Sequence, residues 1–248
     1  MTRPALDTNI LDDFVTLCKT AKVEPLPVDS LGRSSQADIL RLDQVHPVLS
    51  GNKLFKLLDH LAPILTAFEK TDGLALVSPG GPWSNHLHAL AAFGRELGIA
   101  THGLVRGYEH LPLTDTLSDC VVMGMKLHFL NKKEYSQRYE PAWQEFWAEK
   151  LNAYWIGEGG SIGGEKPAKP AGFARPGMDL LASLVADYDE IWMAVGSGTT
   201  AEGLRSVLSD SKTVVGVNCV QDQDDLAQKW DSLFPNNLMR LIQKSEFG

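Results

Sequence analysis

Cysteine is scarce in this sequence, and long hydrophobic runs are missing. The 248 residues include three widely spaced cysteines, Cys18, Cys120 and Cys219. Such an odd, scattered set favours neither a disulfide framework nor a zinc site, so we expect no bound metal and a reducing, cytoplasmic location. No apolar run reaches the roughly 18 residues that a membrane-spanning helix needs. We therefore expect a soluble protein without a membrane partner.

Basic charge is also in short supply. The chain has 23 lysines and arginines against 31 aspartates and glutamates, which gives a formal net charge of -8. Nucleic acids and anionic membranes attract clustered positive charge, so this balance disfavours both as partners. A small molecule is the expected partner instead.

Short apolar runs alternate with helical patterns along the chain, and this alternation is typical of an α/β protein with largely parallel sheets. Strands are predicted at residues 74–77, 103–105, 127–130, 153–156, 191–195 and 213–220. Helices are predicted from Lys53 onward, at 87–97 with Gly98 as the C-cap, at 180–185 and after Thr200. Residues 163–172 are predicted to form an exposed loop, and the acidic residues 222–225 to begin a helix.

Lys53 stands at the beginning of a predicted helix that carries a second lysine, Lys56, in its first turn. The positive end of the helix dipole disfavours cations there, so a neutral amine is better tolerated. A lowered pKa is what covalent catalysis on carbonyl compounds requires of a lysine. The alternative for Lys53 taken alone is a solvated surface residue.

Residues 80–86 form a predicted strand-to-helix turn that places Ser84, Asn85 and His86 at a helix N-terminus. Backbone N–H groups at this position can bind a carboxylate, while a hydroxyl and an amide can reach polar atoms of a bound ring. The alternatives are structural: Ser84 can be the helix N-cap, and His86 can be a packing residue.

A glycine-rich segment follows the strand predicted at 191–195 and opens a helix. Its members are Gly196, Ser197, Gly198, Thr199 and Thr200. Free backbone N–H groups and hydroxyls in such a segment supply hydrogen-bond donors for a phosphate. The alternative is a capping box formed by Thr199 and Glu202, which would stabilise the helix without a ligand. The glycine spacing matches neither the dinucleotide-binding motif nor a P-loop.

In this order, segments 50–53, 80–86, 159–161 and 196–200 resemble the pyridoxal-phosphate (PLP) enzymes of fold type II, the tryptophan-synthase-β superfamily. Within it, the sequence is similar to the 1-aminocyclopropane-1-carboxylate deaminase and D-cysteine desulfhydrase family. Residues 41–47 also resemble that family's strand leading into the lysine. The resemblance extends over residues 40–220.

The resemblance implies an α/β fold of two open, twisted, mostly parallel sheets flanked by helices. It also implies a large PLP-binding domain of residues 1–52 and 158–248, a small domain of residues 53–157, and assembly as a homodimer. Relatives continue past the position of Gly248 with residues that contact the pyridine nitrogen and the substrate. We therefore expect a shortened C-terminal part.

The resemblance implies a role for each matching residue. Lys53 would hold PLP as a Schiff base and move protons during turnover. Ser84 would act near the substrate as nucleophile or proton-transfer partner, and Asn85 would bind the cofactor's ring hydroxyl as well as substrate. His86 would lie beside the substrate carboxylate. The phosphate would be bound by Gly196, Ser197, Gly198, Thr199 and Thr200.

The implied activity is a PLP-dependent deaminase or lyase that releases ammonia and a 2-oxo acid from a small amino acid. D-cysteine would give pyruvate, ammonia and hydrogen sulfide, and the cyclopropane amino acid would give 2-oxobutanoate and ammonia. Two alternatives stay open. One is a β-replacing synthase or amino-acid dehydratase of the same fold, and the other is a truncated PLP-binding protein with little or no turnover.

Overall fold

The computed structural model describes residues 9–26, 37–49, 51–162, 175–219, 227–228, 230–231 and 238–242. The chain divides into two compact units, Met1–Ala174 and Arg175–Gly248. Ser50, the predicted loop at 163–172 and the acidic segment 222–225 lie outside the described residues. The predicted large domain, residues 1–52 and 158–248, would combine segments from both units, and this division into domains stays a prediction. Among the described residues, no helix has both the length and the apolar character to cross a membrane.

A four-stranded sheet forms the centre of the first unit. The strands of this unit are β1 (Lys22–Pro25), β2 (Asp38–Arg41), β3 (Ala75–Gly80), β4 (Thr101–Arg106), β5 (Lys126–Leu130) and β6 (Ala153–Trp155). Its helices are α1 (Ile10–Cys18), α2 (Asn52–Lys70), α3 (Asn85–Leu97), α4 (Asp115–Val122), α5 (Lys132–Ser136) and α6 (Pro141–Leu151). The sheet order is β5-β4-β3-β6, and every pairing in it is parallel. Strand β3 is buried along its whole length, as a central parallel strand covered by helices should be.

Strand β3 runs three residues beyond the end of its apolar run at Val77, through Ser78, Pro79 and Gly80. The carbonyl of Val77 accepts a hydrogen bond from the N–H of Ile156, so the polar groups of Val77 face the β6 side of the sheet. Pro79 lies two residues on and faces the same side, where the pairing with β6 has already ended. The missing N–H of Pro79 therefore costs no ladder hydrogen bond.

The chain before α2 differs from the predicted strand at 41–47. Strand β2 pairs with β1 in an antiparallel ribbon and ends at Arg41, and a 3-10 helix, Leu42–Gln44, follows. The guanidinium of Arg41 binds the carboxylate of Asp43, two residues later, with N···O distances of 2.9 and 2.7 Å. This local pairing stabilises a turn where the resemblance predicted extended chain.

The second unit contains a three-stranded parallel sheet in the order β7-β8-β9. Its elements are α7 (Pro176–Leu184), β7 (Glu190–Val195), α8 (Thr199–Arg205), β8 (Thr213–Asn218) and β9 (Met239–Ile242). A hydrophobic core of Val195, Ala201, Val214, Trp230 and Met239 packs against this sheet. The predicted α/β class with mostly parallel sheets is confirmed.

Candidate active site

The turn between β3 and α3 is stabilised by the chain itself. Ser84 is the N-cap of α3, and its Oγ accepts a hydrogen bond from the N–H of Leu87 at 3.2 Å. The Oγ1 of Thr114 donates to the carbonyl of Pro82, which ties the turn to the start of α4. A Cβ at Gly80 would lie 2.7 Å from the Leu87 side chain and 2.8 Å from Ser84 Oγ, so only glycine fits there. The structural interpretation of Ser84 is confirmed, and its own O–H hydrogen remains able to donate.

Helix α2 begins at Asn52, which confirms the predicted helix start and places Lys53 in its first turn. The N-cap residue, Gly51, has φ 68° and ψ -159°, a conformation that is essentially restricted to glycine. The Nζ of Lys53 donates to the Oδ1 of Asn52 at 3.1 Å. Lys53 is half-buried, and its burial lowers the pKa of its amine. A lysine in this environment is biased toward the neutral, nucleophilic form.

A buried imidazole lies close to the beginning of α2. His86 is 3% exposed, and its Nε2 lies 2.9 Å from the Oγ of Ser78. The Ser78 hydroxyl also donates to the carbonyl of Gly157 at 3.3 Å. Burial lowers the pKa of His86 well below its usual value, and the charges of Lys56, Lys53 and His60 lower it further. The structure therefore brings Lys53 and His86 within electrostatic reach of each other.

Gly160 lies between α2 and α3 in the same cluster. A Cβ at this position would be 3.1 Å from Lys56 Cε and 3.4 Å from two ring atoms of His86, Cε1 and Nδ1. The carbonyl of Gly160 accepts a hydrogen bond from His60 Nε2 at 3.2 Å, so this nitrogen carries the proton. Lys53, Lys56 and His60 recur at i, i+3 and i+7, which is the spacing of one helix face. The sequence analysis did not single out His60, and this spacing is the signal that could have found it.

The residues of the first unit fit the cofactor that the resemblance implies. An aldehyde requires an uncharged amine, and Lys53 has a lowered pKa. The Nδ1 of His86 is buried and has no hydrogen-bond partner in the described part of the chain, so the cluster retains unused polar capacity there. Asn85 is exposed at the first position of α3, where an amide can reach a ligand.

The glycine-rich segment of the second unit follows β7 and precedes α8, as predicted. Gly198 is the N-cap of α8 with φ 80°, and Thr199 is the first helical residue. The alternative of a capping box is therefore wrong, because the helix begins at Thr199, one residue too early for Thr199 to be its N-cap. The Oε1 of Glu202 instead accepts a hydrogen bond from the indole N–H of Trp230 at 3.1 Å. The hydroxyls of Ser197 and Thr199 lie 2.9 Å apart at the surface.

Comparison with known proteins shows which enzymes have a similar sequence or fold. No established family profile matches the sequence. A curated protein of Pyrococcus horikoshii, provisionally named as a 1-aminocyclopropane-1-carboxylate deaminase, is 25% identical over 235 residues, covering 89% of this chain and 69% of its own. The crystal structure of an ACC deaminase homologue has a TM-score of 0.65 at 20% identity and covers 94% of this chain and 77% of its own. A PLP-dependent aspartate racemase has a TM-score of 0.56 at 17% identity, over 95% of this chain and 70% of its own. The chain has the fold of the PLP enzymes of fold type II.

Within this fold type II chain, the structure confirms the local settings of the predicted residues. Lys53 lies in the first turn of α2, Ser84 and Asn85 lie at the start of α3, and residues 196–200 join β7 to α8. His86 differs from the expectation of a side chain beside substrate, since its ring is buried and bonded to Ser78. The roles of all these residues in binding and catalysis stay predictions.

Proposed function

We propose that the protein is a PLP-dependent deaminase or lyase that releases ammonia and a 2-oxo acid from a small amino acid. The observation that carries this proposal is Lys53, a half-buried lysine with a lowered pKa in the first turn of a helix. Its amine needs less free energy to become neutral than that of a solvated lysine, and a neutral amine is the form that would hold a carbonyl cofactor. The fold and the name of the Pyrococcus relative support deamination as the reaction class.

PLP supplies an electron sink when it is bound, and the protein selects the bond that breaks by orienting the substrate. In this proposal Lys53 holds the cofactor and then takes or returns a proton at the substrate. The hydroxyl of Ser84 serves as the nearby nucleophile or proton-transfer group, and the amide of Asn85 binds the cofactor ring hydroxyl and the substrate. The hydroxyls and N–H groups of residues 196–200 bind the phosphate.

The start of α3 supports the binding of the substrate carboxylate. The Ser84 cap satisfies the N–H of Leu87, while a helix start leaves the N–H groups of Asn85 and His86 without partners inside the helix. These groups and the helix dipole favour an anion. Because the His86 ring is buried, we assign its contribution to the backbone N–H rather than to the imidazole. The same proposal has the enzyme acting as a cytoplasmic homodimer.

Replacing Lys53 tests the proposal directly. We expect Lys53→Ala to lose the visible absorbance of enzyme-bound PLP together with all amino-acid turnover, because the amine that is proposed to hold the cofactor is removed. Lys70→Ala is the matched control, since Lys70 is an exposed lysine at the other end of the same helix. Wild-type PLP absorbance in Lys53→Ala would disprove the assignment.

A substrate panel separates the reaction classes. D-cysteine, 1-aminocyclopropane-1-carboxylate and both enantiomers of serine would be assayed for ammonia, 2-oxo acid and sulfide. We expect ammonia together with a 2-oxo acid, and sulfide as well when D-cysteine is the substrate. Turnover of serine alone would favour a dehydratase. With sulfide added as a nucleophile, consumption of serine without release of ammonia would favour a β-replacing synthase. PLP absorbance without turnover of any amino acid would favour a binding protein.

A further inference from the structure

Glu158 is the centre of a hydrogen-bonded network beside the cluster of Lys56, His60 and His86. It opens the 3-10 helix Glu158–Gly160, just after β6. Its carboxylate accepts hydrogen bonds from the hydroxyls of Tyr135 and Tyr139 at 2.6 and 2.5 Å. The Nε of Arg138 donates to the same carboxylate at 2.8 Å. Three donors from one short segment therefore converge on a single side chain.

The donors of this network are themselves fixed in place. The guanidinium of Arg138 lies over the rings of Tyr135 and Tyr139, 4.6 and 4.2 Å from their centroids. The side-chain amide of Gln144 donates to the carbonyl of Arg138 at 2.9 Å. Burial alone would raise the pKa of Glu158, but the hydrogen bonds from Tyr135, Tyr139 and Arg138 outweigh burial and lower it. The carboxylate is thus held in its charged form by an ordered set of partners.

The backbone after Glu158 needs such an anchor. Gly159 and Gly160 have φ values of 68° and 83°, so two successive residues adopt the left-handed conformation. Glycine reaches this conformation easily but loses more conformational entropy than other residues when it is fixed. The turn contacts α2, α3 and β3, and the Gly160 carbonyl binds His60. A change in this turn would therefore be transmitted to the helix that carries Lys53.

We propose that Glu158 is a positioning residue of the candidate active site. Anchored by Tyr135, Arg138 and Tyr139, it holds the Gly159–Gly160 turn against His60 and His86, and it thereby fixes the position of α2, the helix that carries Lys53. The link to catalysis rests on the proposed PLP function. The geometric link from Glu158 to His60 and His86 is independent of that proposed function.

The geometric link is tested in the protein without added cofactor, by ¹⁵N NMR of the imidazole nitrogens. In Glu158→Ala the signals of His60 and His86 are expected to shift, because the Gly160 carbonyl moves away from His60 Nε2. Glu134→Ala is the matched control: Glu134 is an exposed glutamate in a capping box with Asn131, close to the same three donors in sequence. Unchanged His60 and His86 signals in Glu158→Ala would overturn the proposal.

The catalytic link is tested with the holoenzyme and whichever substrate the panel identifies. A displacement near 1 Å can cost about 100-fold in rate, so Glu158→Ala is expected to lower kcat about 10- to 100-fold with a smaller change in KM. Wild-type kcat together with shifted histidine signals would overturn the positioning role and leave the proposed function intact. If Glu158→Ala does not fold, the double variant Tyr135→Phe, Tyr139→Phe replaces it, since it removes two donors and retains both rings. Glu158→Gln is expected to recover part of kcat, because its amide still accepts from a tyrosine.

Discussion

The two strand-turn-helix segments that contain predicted site residues, one in each unit, are built differently. The turn before α3 is closed by its own side chains, since Ser84 caps the helix and Thr114 binds Pro82. The turn before α8 has a glycine N-cap without a side-chain cap. Its hydroxyls from Ser197 and Thr199 bind each other at the surface. The first turn is therefore closed by protein side chains, whereas the second presents the hydroxyls of Ser197 and Thr199 at the surface.

This difference predicts two kinds of response to mutation. Substitutions in a turn that is closed by its own side chains should change the stability of the protein whether or not PLP is present. Substitutions in a turn whose donors face solvent should change ligand affinity and leave the stability of the ligand-free protein nearly unchanged. The predictions below test this contrast, beginning with the largest effect.

The largest effect is expected on PLP affinity in the second turn. The double variant Ser197→Ala, Thr199→Val removes two hydroxyls that are proposed to bind the phosphate. A hydrogen bond to a charged group contributes about 1.5–3 kcal/mol, so the Kd for PLP should rise about 10- to 100-fold or more. The measurement is an absorbance titration with PLP, with urea unfolding of the ligand-free protein alongside.

The matched control uses Ser209 and Ser211, another exposed hydroxyl pair in the same unit, 2.8 Å apart. Ser209→Ala should change neither the free energy of PLP binding nor the unfolding free energy by more than about 0.5 kcal/mol. A second arm repeats the titration with pyridoxal, which lacks the phosphate and should bind the double variant and the wild type alike. Equal PLP affinity in the double variant and the wild type would mean that this turn does not bind the phosphate.

A smaller effect is expected from acid on the first turn, which contains a buried histidine. Burial holds the pKa of His86 well below 6.5, whereas an unfolded chain titrates near 6.5. Below about pH 6.5 the unfolded state therefore binds a proton that the folded state does not, and stability is lost as pH falls. The slope for one such proton approaches about 1.4 kcal/mol per pH unit. The His86→Gln variant should show a shallower slope in urea unfolding between about pH 7.5 and 5.5.

The control for the acid prediction is His110→Gln, because His110 is exposed in the loop after β4. That variant should keep the wild-type dependence of unfolding free energy on pH. An identical dependence in His86→Gln would show that the imidazole of His86 is not held neutral. The second turn contains no titratable side chain between residues 196 and 200, so it offers no comparable acid response.

Local signals in the sequence were enough to predict the start of α2 and the end of α3. The leucine spacing after Lys53 predicted the start of α2, and Gly98 correctly predicted the C-cap of α3, where it has φ 65°. These features depend on residues within one or two helical turns of each other. The positions of these segments in the fold were therefore predictable, while their roles in binding stay predictions.

The contacts that join distant segments could not be predicted in the same way. Ser78 reaches Gly157 across 79 positions, and Tyr135 reaches Glu158 across 23. Local periodicity in the sequence does not predict such pairs, because these residues meet only when the strands assemble into a sheet. The burial of the His86 ring has the same origin, since its hydrogen-bond partner Ser78 lies within β3.

The smallest effect is expected at Ser84, where the capping and catalytic interpretations predict different outcomes. Loss of an N-cap costs about 1 kcal/mol, so Ser84→Ala should lower the unfolding free energy by that amount with PLP absorbance retained. Ser84→Asp keeps an acceptor for the Leu87 N–H and should recover stability. Neither variant retains the hydroxyl that is proposed to take part in proton transfer, so both should lose most turnover.

Asn131→Ala provides the comparison for Ser84, because Asn131 caps α5 through the N–H groups of Lys133 and Glu134. It should lose a similar amount of stability, about 1 kcal/mol, and keep its turnover. If Ser84→Asp recovers turnover together with stability, the hydroxyl of Ser84 is a cap and nothing more. If stability alone recovers, the turn before α3 is closed by a side chain that also acts on the substrate, and the contrast between the two turns is one of structure rather than of function.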